Sequence, residues 1–206
     1  MVPVDHLVYA ARDLDRAVHE LEHRLGVRAE PGGRHPEEGT WNAVMSVGPA
    51  MYLEIIAPDP GRPGPPGGRW FGLDDAAPDH LVAWAVKSPD LAQRASAARS
   101  AGVPLGDVRR GSRRRPDGTL LSWTFTDPRT VLGSGLVPFL IDWGESPHPG
   151  DTPGSVELLA LRGEHPTPAG IVGMLRRLNI DLPVIDGPRV ALVATLATPQ
   201  GSVELR

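Results

Sequence analysis

Short apolar runs alternate along the chain with amphipathic stretches of helical period. Residues 4–10 (VDHLVYA) form an apolar run of strand length. Asp13 then stands where a helix N-cap belongs. Leu14, Ala17, Val18, Leu21 and Leu25 recur at helical spacing, and Gly26 is placed to stop the helix. Residues 40–48 and 51–57 predict two further strands. Residues 58–69 (PDPGRPGPPGGR) predict a linker without regular structure.

The pattern then restarts. Asp79-His80-Leu81-Val82 repeats Asp5-His6-Leu7-Val8. Ser88, as N-cap, and Pro89 predict a second helix with Leu91, Ala95 and Ala98 on its inner side and Gly102 at its end. Pro116-Asp117-Gly118 predicts a hairpin turn, and residues 137–143 a closing strand. A third, shorter copy follows. It comprises a strand over 155–162, a helix opened by Thr167-Pro168 with Ile171, Leu175 and Leu178 inward, and a hairpin from 189–197 and 202–205. Strand–helix–strands units thus recur about every 70 residues. They imply an α+β protein, with a two-module domain over 1–150 and an additional C-terminal βαββ module over 151–206 packed on it.

Composition narrows the function classes. Apolar residues make up 40% of the chain, which suits a globular core, while 24 glycines and 23 prolines demand many turns. With no cysteine, thiolate chemistry, disulfides and cysteine zinc sites are excluded. The net charge of −4 argues against a generic nucleic-acid binder. The opening MVPVDHLVYAARD has no basic segment and no long apolar stretch, and no run reaches membrane-spanning length. A cytoplasmic location is therefore expected. Lys87 is the only lysine against many arginines, a skew that fits a GC-rich bacterial genome.

The segments DHLVYAARDLDRAVHELEHRLGV, GGRHPEEGTWNAV, YLEIIAPDP, SRRRPDGTLLSW and PFLIDWG resemble the glyoxalase-like domain proteins of the vicinal oxygen chelate superfamily, which includes glyoxalase, extradiol dioxygenases and bleomycin-resistance proteins. The resemblance implies repeated βαβββ modules forming a curved, partly open mixed sheet around a cavity, helices outside. It implies no single reaction, because the fold hosts isomerases, oxygenases and plain binders. In the metal-dependent members the ligands come from the first and last strand of each module. Carried over, these are His6, Glu54 and His80, suited to a divalent ion such as Zn, Ni, Mn or Fe. The fourth position falls on Asp142 or equally on Ile141. It falls on Glu204 if the third module pairs with the first. The plain alternative is a hydrogen-bonded His–Glu pair in a polar cavity, with His80 at an exposed strand start.

Other candidates are weighed against bland readings. His19-Glu20-Leu21-Glu22-His23 matches H-E-x-x-H, but its histidines lie opposite the apolar stripe of the helix, so it is read as a chance match. His35 and Asn42, in a polar segment before an apolar strand, are expected at the cavity mouth or in a surface loop. Arg109, Arg110, Arg113, Arg114 and Arg115 form either an anion site or a charged strand edge. In an extended chain Arg113 and Arg115 share one face, and these two are taken as carboxylate-binding. Trp123 is read as core or cavity wall.

Three functions compete. The first is a metal-assisted isomerase or lyase with Glu54 moving a proton on a small, oxygenated, anionic substrate, with His35, Asn42, Arg113, Arg115, Trp123 and Asp142 around it. The second is a small-ligand-binding, resistance-type protein without metal. The third is a two-His, one-carboxylate oxygenase. The expected partner is a small organic anion, with neither nucleic acid nor membrane, and a homodimer is the assembly to test.

Overall fold

The computed structural model describes residues 4–75, 79–152 and 154–206. The first module runs β1 (Val4–Ala10), α1 (Leu14–Leu25), β2 (Glu30–His35), β3 (Thr40–Gly48) and β4 (Met51–Pro58). The second runs β5 (His80–Lys87), α2 (Leu91–Ser100), β6 (Val108–Arg114), β7 (Leu120–Thr126) and β8 (Phe139–Asp142). The third runs β9 (Glu157–His165), α3 (Ala169–Arg177), β10 (Val184–Asp186), β11 (Ala191–Thr198) and β12 (Gly201–Leu205).

The first two modules share one mixed eight-stranded sheet in the order β2-β3-β4-β1-β5-β8-β7-β6, joined by antiparallel pairing of β1 with β5. The sheet curls until its edge strands meet. Arg113 on β6 donates to the Gly32 carbonyl on β2, and a Cβ on Gly33 would sit 2.5 Å from the Arg114 carbonyl oxygen. Only a glycine permits that approach. The result is a curved, nearly closed barrel-like sheet.

Strand parity sorts the side chains into two cores. Leu7 and Tyr9 of β1 and Leu53, Ile55 and Ala57 of β4 pack with Leu14, Leu21 and Leu25 of α1 on the convex side. Val8, Ile56, Ala85, Leu121, Trp123, Phe125 and Ile141 pack on the concave side. The third module has the same element order but its own sheet, β10-β9-β11-β12. It joins the convex core through Ile171, Leu175, Leu192 and Leu196. The pairing of the first two modules leaves Glu204 on this second sheet, where it binds Arg162 at 2.7 Å.

Local signals act as their chemistry requires. The Asp13 carboxylate accepts the Arg16 N–H, and Gly26 ends α1 in the left-handed conformation at φ 70. Ser88 does not cap α2. Its N–H extends the β5–β8 ladder to the Ile141 carbonyl at 2.8 Å, and the helix starts later, after Asp90. Two strands arise where the sequence shows no strand pattern, β2 in EPGGRH and the short β10. Among the described residues no helix is long and apolar enough to cross a membrane.

Candidate functional site

The concave face of the sheet builds a narrow cavity of about 30 Å³, partly open to solvent. β1 and β4 run parallel as neighbours, with His6 opposite Tyr52 and Val8 opposite Glu54. His6 and Glu54 therefore face the same cavity, with His6 Nε2 3.9 Å from Glu54 Oε2. The His6 ring stacks on Tyr52 with centroids 4.6 Å apart. Glu54 Oε1 accepts a 2.6 Å hydrogen bond from Asn42 Nδ2 on β3.

Behind His6 lies Asp5, fully buried. It accepts from His6 Nδ1 at 2.6 Å, His148 Nε2 at 3.0 Å and Trp143 Nε1 at 3.2 Å. Burial alone would raise the Asp5 carboxyl, but the hydrogen bonds from His148 and His6 outweigh it and hold it well below the usual carboxylate range. The loop after β8 is thereby tied to the first strand of the chain.

Arg113 reaches in from β6, 4% exposed. Among the described residues its one hydrogen-bonded partner is the Gly32 carbonyl. Burial lowers its affinity for the proton, while the charges of Tyr52 and Glu54 act the other way. His35, buried beside it, bonds to Thr40 Oγ1 through Nδ1 at 3.0 Å. Burial, and then the Arg113 charge, push its pKa down to about 3, so the ring is neutral at physiological pH. Aromatic rings close the remainder, including Trp123, Phe125, Phe139 and Trp143.

The Pro/Gly-rich segment is a strap over this cavity. Arg69 holds it through the Gly39 carbonyl at 2.8 Å and an ion pair with Asp74. Arg129 holds it through the Gly68 carbonyl at 2.9 Å and pairs with Glu38. The strap delivers Trp70 and Phe71 to the cavity. Trp70 lies 5.4 Å from both the His35 and Phe125 rings. Among the described residues its buried indole N–H has no hydrogen-bond partner. Phe71 is held at φ 58, a costly left-handed conformation for an aromatic residue.

Six of the candidates read from sequence line one cavity: His6, Glu54, His35, Asn42, Arg113 and Trp123. Three do not. Antiparallel pairing puts His80 opposite Ala10, at the far end of β1 from His6, and His80 lines a separate groove. Asp142 faces away and accepts the Gly144 N–H at 2.9 Å, leaving Ile141 to line the cavity. Arg115 lies past the end of β6 in a turn closed by the Gly118 N–H to its carbonyl, so strand alternation stops before it. It flanks an outer hollow with Asp117. His19 and His23 are exposed. Sequence reading missed Asp5, Tyr52, Trp70, Phe71 and His148. The indole and phenyl of the strap had no signal beyond a WF pair at the end of a proline run.

The donor set does not fit a resident divalent ion. The cavity's nitrogen and oxygen donors are the His6 and His35 imidazoles and the Glu54 carboxylate, all from the first module, and the second module faces His6 with Ala85 and contributes Ile141. Among the described residues no three His, Asp or Glu side chains form a metal-holding group. The cation that lines the cavity is the Arg113 guanidinium.

A family model described as Glyoxalase-like domain matches residues 4–178. Comparison with curated proteins finds no match. Among solved structures, a hypothetical protein from Staphylococcus aureus superposes with a TM-score of 0.70 at 14% identity, covering 98% of this chain and 83% of that one. Methylmalonyl-CoA epimerase from Mycobacterium tuberculosis is similar at 23% identity and a TM-score of 0.46, covering 68% of this chain and 87% of that one. A variant of Streptomyces coelicolor methylmalonyl-CoA epimerase in complex with 2-nitronate-propionyl-CoA is similar at 22% identity and a TM-score of 0.49, covering 72% and 99%. The Staphylococcus likeness extends over nearly the whole chain and shows the fold.

Proposed function

We propose, on the premise that this chain belongs to the glyoxalase-like domain family of the vicinal oxygen chelate superfamily, that it is an isomerase or lyase moving a proton on a small oxygenated organic anion. One observation carries the reading: two proton acceptors 3.9 Å apart, His6 Nε2 and Glu54 Oε2, face a buried cavity that also holds the Arg113 guanidinium. Removing a proton from carbon beside a carbonyl or carboxylate needs a positioned base and a positive charge where the oxygens gain electron density.

Glu54 is the proposed base. It takes the proton, the C–H electron pair moves into an enolate, and the Arg113 guanidinium offsets the charge on oxygen. Return of the proton to another face or another carbon gives the isomer. Loss of a neighbouring group instead gives the lyase outcome. Asn42 fixes the Glu54 carboxylate through Oε1 and leaves Oε2 to take the proton. His6, oriented by Asp5, stands within relay distance of Glu54. The aromatic walls and the strap keep bulk water from the carbanion.

The competing reading is a binder without chemistry, favoured by the aromatic lining of the cavity. Proton NMR in D2O separates the two. Glycolate, lactate, pyruvate and longer 2-substituted acids are incubated with protein and followed for loss of the signal of the C–H beside the carboxylate or, in pyruvate, of the methyl beside the ketone. The enzymatic reading expects exchange with at least one acid, falling by about a hundredfold or more in Glu54→Gln, in line with the loss of a general base. No exchange, with binding intact, leaves the binder.

A further inference from the structure

We infer that the cavity is a metal-independent carboxylate site in which Arg113 grips the carboxylate and the strap's Trp70 indole N–H takes a second ligand oxygen, so that the ligand class is a short hydroxy- or oxo-carboxylic acid. The inference deepens the proposed reading and rests on it only for the location of the site.

Arg113 is a buried cation whose hydrogen-bonded protein partner is a carbonyl, that of Gly32, rather than a carboxylate. A guanidinium has five N–H donors in a planar fork, so most of its donors remain for a ligand. Glu54 is the carboxylate that shares the cavity, and it is engaged by Asn42. It acts on Arg113 through charge alone. A buried charge left in that state is costly, and a ligand carboxylate completes it with two parallel charge-assisted bonds.

The second observation is independent and lies on a different element. Trp70 lines the same cavity from the strap, and its buried Nε1–H has no acceptor among the described residues. Buried donors are almost always paired. A carboxylate held by the Arg113 fork uses two of its lone-pair sites there, and the inference assigns a neighbouring hydroxyl or carbonyl oxygen of the ligand to the Trp70 N–H. The small volume, walled by Trp123, Phe125 and Phe139, limits the remainder of the ligand to a short apolar group.

The positions that would complete a metal centre are Ala85 and Ile141, whereas the cation that is present is fixed to the barrel seam by its bond to β2. A guanidinium in place of an ion binds carboxylate without exchangeable cofactor. It also ties ligand binding to closure of the strap, because one of the two recognition groups rides on it.

Isothermal titration after exhaustive chelator treatment tests the proposal with four probes: lactate, pyruvate, lactamide and propionate. Lactate or pyruvate should bind equally well before and after chelation. Lactamide should bind about tenfold to a hundredfold more weakly, the range set by charge-assisted hydrogen bonds. Propionate, lacking the second oxygen, should fall between. Arg113→Ala should erase the acid-over-amide difference, and Arg113→Lys should keep part of it. Since Arg113 also ties β6 to β2, circular dichroism of both variants is needed, and the lysine variant carries the test if the alanine variant unfolds. Trp70→Phe should erase the lactate-over-propionate difference while leaving the acid-over-amide difference. Arg114→Ala, altering an exposed side chain that bonds the Gly118 carbonyl, should change neither. Binding that appears only with added Zn, Mn, Ni or Fe(II), equal affinity for acid and amide, or no binding by either acid overturns the inference. Acid binding as expected without α-proton exchange leaves the inference standing and removes only the enzymatic reading.

Discussion

His6 and Asp5 are sequence neighbours in one strand, yet the His6 ring donates to the Asp5 carboxylate at 2.6 Å. Adjacent side chains in a regular strand point to opposite faces. Here the register between β1 and β5 slips, with Val4 opposite Val86 and His6 opposite Ala85, so Asp5 is the extra residue of a β-bulge. Bulges re-aim side chains. The other partners fix the protons. His148 Nδ1 accepts the Gly150 N–H at 2.9 Å, so its proton sits on Nε2 and is donated to Asp5. Asp5, ionised, has only lone pairs to offer. His6 therefore carries its proton on Nδ1 and turns the bare Nε2 toward Glu54.

Asp5→Asn tests this arrangement. The amide offers one acceptor oxygen where three donors now converge, so the stability loss should be about 1.5–3 kcal/mol, the cost of hydrogen bonds to a buried charge. Long-range 15N–1H spectra of histidine-labelled protein should show His6 as the Nδ1–H tautomer in the native protein and a changed or mixed tautomer in Asp5→Asn. An Nε2–H tautomer in the native protein would remove His6 as a proton acceptor in the cavity.

Much of this was legible in the sequence because it is local. The cap at Asp13, the stop at Gly26 and the parity of VDHLVYA and MYLEIIAP are decided within a turn or a strand, and the register of β1 on β4 then puts His6 and Glu54 on one face. What was not legible is set by distant contacts. EPGGRH has proline and two glycines and reads as loop, yet it becomes β2 because the closing barrel brings β6 against Gly33. The repeated DHLV suggested that His80 mirrors His6, but antiparallel pairing sends the two histidines to opposite ends of β1. The proline-rich stretch was read as a linker. Its path over the cavity depends on Arg69 and Arg129, one of them 61 residues from its Gly68 partner.

His35 makes stability depend on acid. In the fold its pKa is pushed down to about 3, whereas in the unfolded chain it lies near its ordinary value of 6.5. Between these values the unfolded chain holds a proton that the native ring refuses. Stability is therefore full above about 6.5 and drains away as pH falls toward 3, by up to about 1.4 kcal/mol per pH unit from this group. Denaturant unfolding of His35→Gln should show a shallower slope over that window. An identical slope in both proteins would mean that another group governs the acid transition.

Arg129 fastens the strap from outside, bonding Gly68, pairing with Glu38 and lying over the Trp70 ring at 6.0 Å. Its removal leaves the barrel core untouched and should loosen the strap alone. Hydrogen exchange of residues 59–75 should speed by about tenfold in Arg129→Ala, equivalent to about 1.4 kcal/mol of local stability. Exchange in β1 and β4 should stay as it was. Uniform acceleration across both strands would show that Arg129 supports the whole domain.

Gly111 offers a test of the cavity wall that alters no polar group. It sits on β6 opposite Trp123 of β7, and a Cβ at this position would lie 2.5 Å from Cε2 of the indole. No real contact is that short, so either the ring or the strand must move. The ring is wedged between Phe125, with centroids 6.5 Å apart, and Trp143, at 5.2 Å. Trp143 in turn donates to Asp5. Gly111→Ala should therefore push the indole into the cavity and strain the aromatic wall. Overpacking of this kind costs about 1–3 kcal/mol, partly offset by the lower entropy of alanine in the unfolded chain. The expected readings are a lower midpoint of thermal unfolding, altered tryptophan fluorescence, and weaker binding of lactate or pyruvate with Arg113 and Trp70 intact. Gly118→Ala makes the comparison, because a Cβ there meets nothing within 4 Å and its cost comes from a φ of +88 in the turn. It should lower stability without changing ligand affinity. If Gly111→Ala also left affinity unchanged, Trp123 would be a core residue rather than a wall of the binding site.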